Sequence, residues 1–175
     1  MLSHKSSPES SDHELSIVMM PANVKPGQVL ELAEIVGGAG GTADVRQLAR
    51  GLKADLTVLL EAIQAAEILG LARATSEGIK LTEAGSALLG THDNKVKTLR
   101  DTIATLEPFR TALELASRTG SVTSKEIVKA LDGKEVRWDY RHEENDSIVN
   151  SLMINWSISV GLFKYEKSGA FLKLV

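Results

Sequence analysis

The sequence has no cysteine, and aromatic residues make up only 4% of it. The first absence removes disulfides, thiolate metal sites, iron–sulfur clusters and cysteine nucleophiles together, and it fits a reducing compartment. The second means that a core must be built from Leu, Ile, Val and Ala, which in a chain of 175 residues favours packed helices over a large aromatic-rich sheet. No apolar run approaches the roughly 18 to 20 residues that cross a bilayer. Nor does any apolar stretch of signal-peptide length precede Pro8, Glu9 and Asp12. The expectation is a soluble, cytoplasmic chain with no direct membrane insertion. Excess positive charge is missing as well. Twenty basic residues against 23 acidic leave a net charge of −3, which disfavours a protein whose main work is to hold nucleic acid or an anionic membrane.

What is present is 43% apolar and 25% charged, the composition of a folded, core-forming chain. Residues 1–21 begin as a Ser, Pro and charge-rich stretch that reads as a disordered tail or linker. Its last apolar residues, Ile17 to Met20, are placed to dock on the body. Pro26 then opens a helical pattern with Val29, Leu32, Ala33 and Val36 on one face, stopped by the run Gly37 to Gly41. Asp44 precedes the short helix VRQLARGL, and Asp55 caps a longer one from Leu56 to Leu69. A small hairpin turning at Ser76-Glu77-Gly78 and a further helical stretch after Thr82 complete a first winged-helix-like unit over 22–95.

The order recurs over 96–175. Val96, Leu99, Ile103 and Leu106 share a helix face, and Pro108 either kinks that helix or separates it from Phe109–Ser117. KEIVKAL forms a short second helix, followed by a charged insertion, DGKEVRWDYRHEEND. Asp146 is placed to cap a third helix with Val149, Leu152, Met153, Trp156 and Val160 on one face, and a terminal hairpin turns at Lys167-Ser168-Gly169. The fold class is therefore mainly α with small β-hairpins (α+β), arranged as two tandem winged-helix-like units.

The motifs argue against catalysis. Gly37–Gly41 lacks the preceding strand and the Gly-Lys-Ser/Thr ending of a phosphate loop, so it reads as a helix stop and turn. His4, His13, His92 and His142 are scattered, with none in a metal-ligand spacing and none beside a nucleophile elbow. No catalytic constellation, cofactor or metal is expected. The helix that would read DNA in the first unit is also unsuited to it. From Lys53 to Arg73 there is no intervening cation, while Asp55, Glu61 and Glu67 are acidic.

The second half is less hostile to an anion, with 12 basic and 11 acidic residues against 8 and 12 in residues 1–95. Its third helix lacks Lys and Arg. Lys125, Lys129, Lys164 and Lys167 on adjoining elements are the candidate anion or DNA contacts, and a solvated face is the simpler reading of them. Trp156 reads as core. Arg137, Trp138, Tyr140 and Arg141 in the insertion form either a cap over the second unit or a partner-contact patch, since Arg and aromatics are enriched at binding hot spots.

The stretches LELAEIVGGAGG, ADVRQLARGL, DLTVLLEAIQAAEILGLA, GIKLTEAGSALL, KVKTLRDTI and SLMINWSISVGLFKYEKSGAF follow one another along the chain. In this order they resemble the C-terminal AAA-associated domain attached to ATP-binding subunits of nitrate, sulfonate and taurine type ABC transporters. The family tends to have Arg-Tyr-Ala after the tryptophan, where Ser157-Ile158-Ser159 stands here. The resemblance implies a non-catalytic regulatory or coupling module whose partner is an ATP-binding subunit, met in cis or in trans; a homodimer is a further arrangement to expect. It also implies peripheral placement at the inner membrane through a transporter complex. Two rival readings are a winged-helix DNA-binding regulator using the second unit and a small-anion sensor with a pocket between the units.

Overall fold

Side-chain caps fix where the helices begin. In the computed structural model, which describes residues 17–134, 136–137 and 144–174, α1 (Pro26–Gly38) starts at its proline, whose missing N–H costs nothing in a first turn. The glycine run ends it. Gly40 and Gly41 take φ of +86° and +93°, and the Gly41 N–H donates to the Val36 carbonyl at 2.9 Å. After β2 (Thr42–Ala43), the Asp44 carboxylate accepts from the Gln47 N–H at 2.8 Å and the Gln47 side chain accepts from the Asp44 N–H at 2.9 Å, a reciprocal cap that opens α2 (Val45–Leu52). Asp55 caps α3 (Leu56–Ile68) through the Val58 N–H, as expected.

The hairpin of β3 (Ala72–Thr75) and β4 (Gly78–Leu81) leads into α4 (Glu83–Ala87) and α5 (His92–Ile103). Pro108 separates α5 from α6 (Phe109–Thr119), and the Glu107–Pro108 peptide is cis. There follow β5 (Ser121–Thr123), α7 (Ser124–Leu131), β6 (Val136–Arg137) and α8 (Asn145–Leu152), then a π-helical segment, Met153–Ile158, and the hairpin of β7 (Phe163–Tyr165) and β8 (Ala170–Lys173).

The molecule is mainly helical with small antiparallel sheets. One topology occurs twice: a helix, a strand, two helices and two strands, with the first strand paired to the last. This gives the sheet orders β2-β4-β3 and β5-β8-β7. The hairpins fall where the sequence placed them. The third strands, β2 and β5, went unpredicted because two and three residues are too short to show alternation. α4 and α5 lie between the two sets, so position 95/96 falls inside a helix. Ahead of α1, β1 (Ile17–Val18) pairs in parallel with β6, and Met19, Met20, Ala22 and Val24 are buried, so the expected docking of the tail's end is present. The rest of the predicted tail, residues 1–16, lies outside the described residues.

One apolar cluster runs through both sets of elements, from Met19 and Leu32 to Trp156 and Phe171. Polar contacts cross between them too. The Trp156 indole donates to the Val24 carbonyl at 2.9 Å, and Arg100 on α5 donates to the Val160 carbonyl at 2.6 Å. At its other end α5 is tied to α1 by a 2.7 Å ion pair between Lys95 and Glu34.

One cap differs from expectation. α8 is preceded by Glu144 and already includes Asn145, so Asp146 lies in its first turn, where its charge complements the helix dipole without capping the end. The helix also does not continue uniformly. At the place where the sequence departs from its resembling family, the Ser157 hydroxyl donates to the Met153 carbonyl four residues back at 2.5 Å, and Ser159 does the same to Asn155 at 2.6 Å within the widened turns. Val149, Leu152, Met153, Trp156 and Val160 are all buried nonetheless.

Candidate functional site

The third helix of the first set, α3, buries Leu59, Ala62, Ile63, Ala65 and Ala66 against the core. Its opposite face is unusual. Leu56 and Leu60, one turn apart, are 59% and 52% exposed, and Thr57, Gln64 and Glu67 are exposed beside them. Asp55 stands at the N-terminus and Glu61 is half-buried, with no cation on the helix. The surface is therefore apolar along its crest and acidic at its margins. Phosphates would be repelled by it, whereas an apolar protein surface carrying cations would be accommodated. The sequence held a signal for the two leucines that periodicity alone overlooks. LTVLLEAIQAAEI carries apolar residues on more of its circumference than one buried stripe can absorb.

In the second set, Lys125 and Lys129 are exposed on α7, and Lys164 and Lys167 are exposed on β7 and the turn after it. Lys164 and Lys167 line a shallow open depression with Tyr165, Glu166 and Ser168. Tyr165 is partly exposed and packs on Phe171 with ring centroids 5.0 Å apart. These four lysines are solvated and make no ion pair among the described residues. Trp156, fully buried, belongs to the core as expected. Of the insertion's candidate contacts, Arg137 contributes backbone to β6, while Trp138, Tyr140 and Arg141 lie outside the described residues. His92 is the first residue of α5, and His4, His13 and His142 lie outside the described residues.

Sequence reasoning also missed a buried carboxylate. Glu107, 4% exposed, precedes α6 and accepts from Arg110 at 2.8 and 3.1 Å, from the Thr111 N–H at 3.1 Å and from Lys134 at 3.1 Å. Lys134 further donates to the Thr111 hydroxyl at 2.7 Å. Burial alone would raise the Glu107 pKa, but the hydrogen bonds from Thr111, Arg110 and Lys134 outweigh it and hold the group below its ordinary value. Arg110 is raised in turn, by its hydrogen bond to Glu107. Only Arg110, one helical turn away, was readable as a partner from spacing. The cluster fastens the α7–β6 connection to the start of α6, and every cation in it is already engaged. Glu126 is lowered as well, by the backbone and then the hydroxyl of Thr123, which together form the cap of α7.

Among the described residues no group of three or more His, Asp or Glu side chains is arranged to hold a metal ion, and no helix is long and apolar enough to cross a membrane. No curated protein and no solved structure matches the chain. Residues 46–166, from the first turn of α2 to just past β7, match the family model of the C-terminal AAA-associated domain. With most of its length under that match, the chain belongs to the C-terminal AAA-associated domain family.

Proposed function

We propose that this protein is a non-catalytic regulatory or coupling module of an ABC transporter ATP-binding protein, of the nitrate, sulfonate and taurine type, acting through protein–protein contacts. The observation that carries the reading is the outward face of α3, with two exposed leucines, acidic margins and no cation, on a chain of the AAA-associated family. Each repeated set of elements is read as a winged-helix-like unit whose third helix meets protein instead of a DNA groove. The partner is an ATP-binding subunit, in cis or in trans, with a homodimer as a further arrangement. The module works on the cytoplasmic side, peripheral to the inner membrane through its complex.

The test is co-purification with the cognate ATP-binding subunit, together with that subunit's ATPase rate with and without the module. Association and a changed rate are expected. No association and an unchanged rate would remove the proposal.

A second reading, a DNA-binding regulator using the second unit, is supported by the exposed Lys125, Lys129, Lys164 and Lys167, which make no ion pair among the described residues. It requires salt-sensitive retention of duplex DNA, weakened by Lys164→Ala and Lys167→Ala. Duplex that is not retained at low salt eliminates it.

A further inference from the structure

A trough of about 430 Å³ opens where the last turn of α6, the outer strand β5 and the helix α7 meet. Its size falls within the range of small-molecule sites. Leu115 and Ala130, both half-buried, and the buried Val122 make it apolar. Arg118 from α6 and Lys129 from α7 both line it, both exposed and neither ion-paired among the described residues. A last-turn position explains a favourable cation on each helix separately. It does not explain why the two flank one apolar hollow.

The single carboxylate in the lining, Glu126, offsets one of the two cations and leaves the trough net positive, with its charge turned toward Thr123. One oxygen of Glu126 already accepts from both the N–H and the hydroxyl of Thr123, at 2.7 and 2.8 Å. The outer edge of β5 is occupied in the same way. The Ser121 carbonyl accepts from the Thr119 hydroxyl at 2.8 Å, and the Thr123 N–H is the one given to Glu126. Adding a peptide strand along this edge would have to break both contacts, so the trough suits a small molecule better than an extended chain.

We propose that the trough is a binding site for an amphipathic monocarboxylate, its apolar body on Leu115, Val122 and Ala130 and its carboxylate between the guanidinium of Arg118 and the ammonium of Lys129. The two cations make charge-assisted hydrogen bonds that a neutral head cannot replace, and the apolar surface supplies affinity that a bare anion cannot reach. This site lies on the opposite half of the chain from the α3 face and does not depend on what that face binds.

The test is NMR titration of the isotope-labelled full chain with decanoate below its micelle concentration, with decan-1-ol as the neutral chain and acetate as the bare head. Decanoate is expected to produce saturable shifts at the amides of Val122 and Ala130. Decanol and acetate should each bind about tenfold or more weakly, the loss that follows from removing one charge-assisted contact or the apolar burial. The variant Arg118→Gln/Lys129→Gln, altered only at exposed positions, should lose decanoate affinity by about tenfold while keeping that for decanol. Ala130→Phe, which fills the trough, should abolish both. The proposal is overturned by an absence of saturable shifts, by decanol or acetate matching decanoate, or by decanoate affinity that survives the double charge variant.

Discussion

The indole of Trp156 donates a hydrogen bond to the carbonyl of Val24, 2.9 Å away and 132 residues earlier in the chain, with both residues buried. The contact joins the π-helical segment near the end of the chain to the entry of α1. It gives the closing Asn-Trp helix a definite task, holding the approach to the first set of elements against the second. Trp156→Phe keeps most of the ring and removes the donor, leaving the Val24 carbonyl buried without its partner. The expected cost is about 1–3 kcal/mol, read as a lower denaturant midpoint in a single unfolding transition. Faster amide exchange over residues 19–25 should accompany it. Unchanged exchange there would show that the bond does not tether the segment.

Glu107 predicts an acid-sensitive fold. Its folded pKa is lowered, so the stability it supplies is present above the unfolded value of about 4.3 and is lost as pH falls through the folded value. Glu107→Gln leaves Lys134 and Arg110 without their shared charge. Because those cations are partly exposed, the loss near neutral pH should be about 1–3 kcal/mol, below that of a fully buried broken pair. Chemical denaturation from pH 7 down to pH 3 should show wild type and variant converging. Parallel curves would mean that the carboxylate is not the group titrating.

Gly85 lies in the first turn of α4, where an added Cβ would come within 1.8 Å of the Leu71 carbonyl oxygen. The neighbouring Thr82 holds the same corner, its hydroxyl donating to the Gly70 carbonyl at 2.6 Å and accepting from the Gly85 N–H at 3.1 Å. Gly85→Ala must push backbone from backbone, so a loss of about 1–3 kcal/mol is expected despite the better helix propensity of alanine. A thermal melt that matches wild type would mean that the corner yields freely.

Much of this architecture is written locally. Asp44 and Asp55 announce their helices because a cap depends on one side chain and the N–H three residues on, a relation contained in the sequence. The core faces of α1 and α3 follow from periodicity for the same reason. The parallel pairing of β1 with β6, the Trp156–Val24 bond and the Lys134–Glu107 contact join residues far apart or on different elements, and no local pattern encodes them. The candidate interface falls between these cases. Leu56 and Leu60 are legible as apolar, yet whether a leucine is covered is decided by the elements packed around it, and among the described residues these two stay more than half exposed.

The exposure of that pair separates stability from binding. Leu56→Ala/Leu60→Ala removes side chains that are more than half exposed within the chain, so unfolding should change by about 1–2 kcal/mol or less. Association with the ATP-binding subunit should instead weaken by about tenfold or more, since exposed leucines gain most of their burial only when the partner covers them. Adding cations, as in Gln64→Lys/Glu67→Lys, should weaken it further by turning attraction for a basic partner into repulsion, and that second loss should shrink as salt is raised. Calorimetry of the three proteins against the same subunit distinguishes the terms. If the leucine variant binds as wild type does, the contact lies elsewhere on the molecule. If only the charge variant is impaired, the face attracts its partner by charge, and the leucines do not form the seat of the contact.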